Sequence, residues 1–409
     1  MVVWIVNQYA YTPREKAGTR HFAFARELRR RGHDVRIISS SFYHKGRKQL
    51  YAHEREPALH GDVEGVPYVW LRTPAYAGNL SRLWNMSVFA ARLLRGRGLE
   101  ELPRPDVIFS TSPSPFAAAA ALVLARRLGC AHVLEVVDIW PDTLSEVSRM
   151  SRGHPLMVAL RRLEEQLYGR TDAIVTHLGG AHRHFVERGA DPERCNFIPS
   201  PLPFDAIPDW VEPPSDPPFR FIHAGAMTPS YALDQILDAA DRLVARDPMV
   251  GERIAIDFIG EGPLRAALEG RVQASGHGGW IRFLGAVPKA EILHSLAAAN
   301  AFLIVSKDLA VHRFGVSFNK IFDSMTVGRP IVLANRAPGT PIEAAGVGLI
   351  LSPQAPDALA DAMNEVSRWP AERVAAVGAR AREHVLEHHS AALWGDRMEA
   401  LLSRVTERK

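Results

Sequence analysis

The residues Gly315-Val316-Ser317-Phe318-Asn319-Lys320-Ile321-Phe322-Asp323 set a cation, small polar groups and a carboxylate around a predicted helix start. Unpaired N–H groups and a partial positive charge make a helix N-terminus a seat for phosphate oxygens, and a nearby lysine reinforces it. Asp323 can accept hydrogen bonds from two neighbouring ribose hydroxyls. The stretch therefore suits a sugar nucleotide. It equally suits an ordinary helix start capped by Ser317 or Asn319, with Asp323 on a solvated face.

Three strand-to-helix turns add candidates. Gly260-Glu261-Gly262-Pro263 follows an apolar run, so backbone can approach a nucleotide closely while Pro263 opens a helix, although a tight turn explains it as well. Gly225-Ala226-Met227-Thr228-Pro229-Ser230 sits between strand and helix and brings no charge. In Gly18-Thr19-Arg20-His21, Thr19 is a candidate cap while Arg20 or His21 can face a ligand. A fourth segment, Glu135-Val136-Val137-Asp138-Ile139-Trp140-Pro141-Asp142, ends a buried strand with carboxylates and an indole. Asp138 can orient an acceptor hydroxyl or take its proton, and Trp140 can stack on a sugar face or fill the core.

Alternating strands and helices must position these groups. Strands are expected at Val2 to Val6, Val35 to Ile38, Pro105 to Phe109, His132 to Val137 and Ala173 to Thr176, with helices over Thr19 to Arg31 and Phe116 to Leu128. Residues 199 to 218 hold eight prolines, the mark of a linker. Beyond it strands recur at Arg220, Ile254, Ile281, Ala301 and Pro330. This is an α/β chain of two doubly wound, Rossmann-like domains expected to face a central cleft: residues 1–203, a linker at 204–218, residues 219–385, and a C-terminal helix at 386–409 bracing the first domain. The expected return to the first domain begins as early as Ala371.

Composition narrows the function. The 409 residues exceed one core, and 47% hydrophobic with 23% charged residues are globular proportions. No run of eighteen apolar residues can span a bilayer, and the apolar start lacks a basic leader, so a cytoplasmic location is expected. Two cysteines, Cys130 and Cys195, make no disulfide framework. A net charge of +4 on scattered arginines argues against nucleic acid as a partner and is compatible with anionic lipid headgroups. Residues 79–99 alternate Leu80, Leu83, Trp84, Phe89 and Leu93 with Arg82, Arg92, Arg95 and Arg97, which fits either a packed helix with a basic outer face or one meeting the inner membrane leaflet. The His-, Lys- and Arg-rich residues 42–63 are expected to form a mobile loop over the acceptor. No metal is expected: no Asp-x-Asp pair is present, the histidines fall into no ligand spacing, and His182 and His184, or His388 and His389, read as surface residues.

The chain resembles the retaining glycosyltransferases of family 4, of GT-B architecture, and within them the bacterial polysaccharide subgroup that includes N-acetyl-L-fucosaminyl transferases. The resemblance spans nearly the whole sequence. It rests on Asn7-Gln8-Tyr9, Gly18-Thr19-Arg20-His21, Glu27-Leu28 with Arg31-Gly32-His33, Ser112-Pro113, Glu135-Val136 with Asp138-Ile139-Trp140-Pro141, Phe258-Ile259-Gly260 with Gly262-Pro263, Phe283-Leu284-Gly285 with Val287-Pro288, and Gly315 to Asp323. Val137 and Phe318 depart from arginine and proline, which the subgroup often has there.

The resemblance implies transfer with retention from a nucleotide-sugar, UDP-linked and N-acetylated, to a polyprenyl-diphosphate-linked or saccharide acceptor, without a cofactor. In the larger family an acidic pair eight residues apart binds the donor. Its first position is Gly315 here and its second is Asp323. Lys320, with Arg313, then neutralises the leaving diphosphate, and Asp138 completes the catalytic set. Donor binding falls to Gly18, Thr19, Gly225, Gly260, Gly262, Pro263, Val287, Ser317, Asn319 and Asp323; Arg20, His21 and Trp140 lie on the acceptor side. Two other functions fit the same architecture: a non-catalytic nucleotide-binding partner subunit of a transferase, motivated by Gly315 and Val137, and a sugar-nucleotide epimerase.

Overall fold

The computed structural model describes residues 1–15, 20–44, 46–50, 56–148, 150–151, 153–202, 207–288 and 291–409. The expected donor residues Gly18 and Thr19 lie outside this set. The chain divides into one unit of Met1–Pro203 with Ala391–Lys409 and a second of Phe204–Ser390.

The first unit runs β1 (Val2–Val6), α1 (Arg20–Arg30), β2 (Asp34–Ser40), β3 (Phe42–Tyr43), β4 (Lys48–Gln49), β5 (Ala58–Val63), β6 (Val66–Leu71), α2 (Asn79–Arg95), β7 (Val107–Thr111), α3 (Pro115–Leu128), β8 (Ala131–Val136), α4 (Asp142–Ser148), α5 (Pro155–Arg170), β9 (Ala173–Thr176), α6 (His182–Glu187) and β10 (Cys195–Phe197). Its eight-stranded sheet has the order β10-β9-β8-β7-β1-β2-β6-β5. Only the β5–β6 pairing in it is antiparallel. Central strands are buried on both faces, which is why they read as continuous apolar runs. Residues 42–63 are not the expected loop: a short β3–β4 hairpin and the edge strand β5 occupy the described part, because Ala58 and Val63 turn inward against β6. Helix α2 stops at Arg95, earlier than the apolar pattern suggests, where Gly96 takes a left-handed φ of 70°.

The second unit runs β11 (Phe219–Ala224), α7 (Asp234–Arg246), α8 (Val250–Arg253), β12 (Ile254–Ile259), α9 (Arg265–Ala274), β13 (Ile281–Gly285), α10 (Ile292–Ala297), β14 (Ala301–Val305), α11 (Asn319–Thr326), β15 (Ile331–Ala334), α12 (Pro341–Ala345), β16 (Gly348–Leu351), α13 (Pro356–Val366) and α14 (Ala371–His388). Its parallel six-stranded sheet has the order β13-β12-β11-β14-β15-β16. The order turns around between β11 and β14, the position where doubly wound sheets open a ligand crevice. Helix α9 begins at Arg265, two residues after Pro263, so this proline lies in the turn and does not start the helix.

The proline-rich linker is fastened to the second unit. Trp210 packs onto Gly328 and Gly378, Arg382 donates to Pro208 O (2.5 Å), and Asn300 Nδ2 donates to Pro214 O (2.6 Å). Of the two last helices, α14 stays with the second unit, where Arg382 donates to Thr326 O. Helix α15 (Ala391–Thr406) alone belongs to the first, stacking Trp394 on Phe24 at 4.0 Å and binding Arg31 through Asp396 and Glu399. The expectation that the return begins at Ala371 is thereby corrected. His184 is also not a surface residue: it is buried against Glu164 at 2.9 Å, and His389 is buried beside Phe322.

Candidate active site

In the second unit, β11 delivers Gly225 at its carboxyl end with φ 143°, a conformation that favours glycine. Gly260 (φ 138°) and Gly262 owe their identity to the neighbouring loop. A Cβ on the first would strike the Gly225 carbonyl, and one on the second the Met227 carbonyl. Gly225 N donates to Ile259 O and Met227 N to Glu261 O, each at 2.9 Å. The glycines thus let two loops lock together, a reason for their type that needs no ligand.

Helix α11 begins at Asn319 after Phe318, with no side-chain cap, so neither Ser317 nor Asn319 caps it. Its Ile321, Phe322 and Met325 are buried, and the same packing draws in Lys320, which is only 7% exposed. Side chains on a helix lean toward its N-terminus, and the Lys320 amine reaches the end of β11. A Cβ on Gly225 would lie 3.1 Å from Nζ. The ammonium rests 3.5 Å from the centre of the Tyr231 ring and has no hydrogen-bond partner among the described residues. Burial pushes its pKa down to about 7, against the smaller upward pull of Asp323. Beneath it, buried His223 donates from Nδ1 to Leu303 O (2.9 Å), leaving Nε2 as an unpartnered acceptor; burial and then Lys320 push this ring well below the usual range.

The other donor-side candidates are less concentrated. Ser317 and Asp323 are half-buried and Asn319 is exposed on the same helix start; Val287 is half-buried after β13. Arg313 is exposed, donates to Ala310 O (3.1 Å) and lies over the Phe314 ring, so its guanidinium is turned to its own chain segment. Sequence reasoning missed Tyr231. The signal was an aromatic residue closing a loop judged only by its lack of charge. Phe318, where the subgroup often has proline, meets Tyr231 edge-on at 5.9 Å and so supports that ring.

In the first unit, Arg20 and His21 converge on Glu135, whose side chain is fully buried at the end of β8. Arg20 donates from Nη2 (2.7 Å) and Nε (3.0 Å) to Oε1. Asn7 Oδ1 accepts from Tyr9 N, so its Nδ2 donates to His21 Nδ1, and His21 Nε2–H then donates to Glu135 Oε2 at 2.8 Å. Burial alone would raise the Glu135 carboxyl; Arg20 and His21 overcome it and hold the pKa far below the ordinary range. Arg20 thus spends Nε and Nη2 on Glu135 and Nη1 on Ser200 Oγ, and His21 spends Nε2–H on Glu135, the organising residue of this cluster.

Asp138 and Trp140 line a small concavity, open to solvent, with Ser112, Leu160, Glu164 and Tyr168. Ser112 Oγ accepts from Val137 N (3.1 Å) and donates to Asp138 O (3.2 Å), fixing the loop. Asp138 is exposed at this concavity, and desolvation by the surrounding protein pushes its pKa up. Among the described residues no group of three His, Cys, Asp or Glu side chains is placed to hold a metal ion.

A sheet switch point with a buried amine, joined in sequence to a second doubly wound unit, agrees with what comparison with known proteins finds. Residues 17–201 match the glycosyl transferase 4-like domain and residues 218–368 match glycosyl transferases group 1. The chain belongs to the glycosyltransferases of GT-B architecture. It is similar to a probable glycosyltransferase, WbjE, of Pseudomonas aeruginosa, 27% identical over 68% of this chain and 70% of that protein. It is also similar to a D-inositol 3-phosphate glycosyltransferase of Geodermatophilus obscurus, 26% identical over 59% of this chain and 54% of the relative. In fold it matches Anabaena HepE solved with UDP, at a TM-score of 0.69 and 14% identity over 99% of this chain and 100% of that one.

Proposed function

We propose that the protein is a retaining glycosyltransferase that moves a hexosyl or N-acetylhexosaminyl group from a UDP-sugar to a lipid-linked or saccharide acceptor in cell-surface polysaccharide or glycolipid synthesis. The observation that carries this reading is Lys320: a buried amine at the carboxyl edge of the sheet with no hydrogen-bond partner among the described residues. Such a group is costly unless an anion arrives to pair with it. A departing diphosphate gains charge in the transition state, so a fixed ammonium in a water-poor site stabilises it more than the ground state. Because the protein supplies this cation, the reaction runs without a metal cofactor. Asp323 binds the ribose, and UDP bound to the similarly folded Anabaena protein supports uridine as the base.

On the acceptor side Asp138, whose pKa is raised by desolvation, orients or deprotonates the attacking hydroxyl, with Trp140 against the sugar face. No helix among the described residues is long and apolar enough to cross a membrane. Leu80 (83% exposed) and Trp84 (64% exposed) stand one turn apart on α2, which supports peripheral contact of a cytoplasmic enzyme with the inner leaflet.

The reading is tested by incubating the protein with UDP-sugars and a lipid extract in EDTA. Labelled sugar should enter the lipid fraction, and NMR of the product should show the donor's anomeric configuration. UDP binding with no turnover on any pair would turn the reading to a partner subunit. Sugar inversion without acceptor would turn it to an epimerase.

A further inference from the structure

Beside Lys320 the second unit's switch point carries another oriented group, His312. Between β14 and α11 the chain makes one short 3-10 turn, Ala310–Phe314, and His312 is half-buried in it. The sheet sets the direction of its ring. Asn335, fully buried just past β15, accepts from Ala337 N through Oδ1 (2.7 Å), which fixes the amide so that Nδ2 is its donating side. Nδ2 donates to Ser306 Oγ, just past β14, and to His312 Nδ1, both at 2.8 Å. His312 Nδ1 is thus the acceptor and Nε2 carries the proton. Among the described residues nothing accepts from that N–H.

Two features keep the ring neutral. A proton on Nδ1 would face the Asn335 amide hydrogens, and burial lowers the pKa against the smaller upward pull of exposed Asp308. His312 therefore offers a fixed, uncharged donor. Contacts join it to the Lys320 site: its ring meets Phe318 edge-on at 6.0 Å, Phe318 meets Tyr231 at 5.9 Å, and Tyr231 lies under the ammonium.

Position along the sheet decides which part of a donor His312 can reach. Lys320 stands at the end of β11. Gly260 and Val287 follow β12 and β13 on one side, whereas Ser306 and Asn335, which hold His312, follow β14 and β15 on the other. A nucleotide-sugar carries its diphosphate in the middle, so its two ends fall on opposite sides of the amine. Glycine backbone and an apolar valine suit a flat base, while a neutral N–H suits a sugar oxygen.

We propose that His312, positioned by Asn335, is a specificity-determining residue that donates from Nε2 to an oxygen of the transferred sugar; this rests on the glycosyltransferase reading above. An uncharged donor suits an uncharged oxygen, either a hydroxyl or the carbonyl of an acylamino group.

The test titrates the full chain by calorimetry with UDP, UDP-glucose, UDP-galactose, UDP-N-acetylglucosamine and UDP-N-acetylgalactosamine, and reads the affinity of each sugar relative to UDP. His312→Phe keeps a ring against Phe318 but has no N–H. It should lower that ratio about 3- to 10-fold for at least one sugar, the worth of one neutral hydrogen bond, and leave UDP affinity unchanged, which also reports its fold. His312→Gln returns an N–H donor and should recover part of the loss. A His312-dependent ratio for the N-acetylamino sugars alone assigns the carbonyl, and one that includes the plain hexoses assigns a hydroxyl. A ratio unchanged in His312→Phe for every sugar, whether or not UDP weakens, overturns the proposal while leaving the donor reading in place. Failure of wild type to bind UDP sinks the donor reading and this proposal with it.

Discussion

The two units bury charge in opposite ways. Around Glu135 every strong partner is present: Arg20, His21 and Thr111 all reach the carboxylate within 3.2 Å. At Lys320 the amine rests on a ring face beside a glycine and has no hydrogen-bond partner among the described residues. A saturated buried ion stabilises a loop junction, and its removal costs folding energy. An unsaturated one lowers stability and is explained by a ligand that completes it. Low exposure alone does not separate these cases; the partner inventory does.

The largest expected break in this contrast is catalytic. Lys320→Ala should lower sugar transfer by about 10²–10³-fold, as for loss of one preorganised group facing developing charge, while the far-UV spectrum is unchanged. A wild-type rate would remove its role. Glu135→Ala should instead act on folding: it strands Arg20 and His21, and the expected loss is about 3–5 kcal/mol in urea unfolding. If that variant unfolds like wild type, the saturated cluster is not structural.

A third outcome concerns pH. Because the folded pKa of Lys320 is pushed down to about 7 while an unfolded lysine titrates near ~10.4, the unfolded chain binds more protons in between. The penalty for burying the amine is therefore fully present below about pH 7 and fades as pH rises toward ~10.4. Lys320→Met should be more stable than wild type by about 2–4 kcal/mol at pH 7, with the gap closing by pH ~10.4. A pH-independent gap would place the amine in water. The smallest effect belongs to Tyr231→Leu, which removes the ring under the ammonium; UDP affinity should change by about 3- to 30-fold in calorimetry, the range for a desolvated cation–π contact.

Much of the architecture was legible because a parallel sheet covered on both faces writes itself as apolar runs separated by amphipathic helices. Val2–Val6, Ala173–Thr176 and Ala301–Val305 fall where the pattern puts them. Strand β5 was hidden because its middle residues are polar and exposed, which in isolation reads as loop. Lys320 was legible through its place at a helix start after a glycine. Tyr231 as the ring beneath that ammonium was not, since the contact joins residues far apart in sequence.

The sequence by itself determined two doubly wound lobes, the glycine positions and the identity of the cation at the second lobe's switch point. Only the tertiary structure decided that Arg20 and His21 face Glu135, that Gly260 and Gly262 serve a neighbouring loop, and that the Lys320 amine is buried without a hydrogen-bond partner among the described residues. The physical reason is range. Periodicity and turn chemistry act between near neighbours in the chain, whereas desolvation and charge pairing depend on every group that folding brings within a few ångströms.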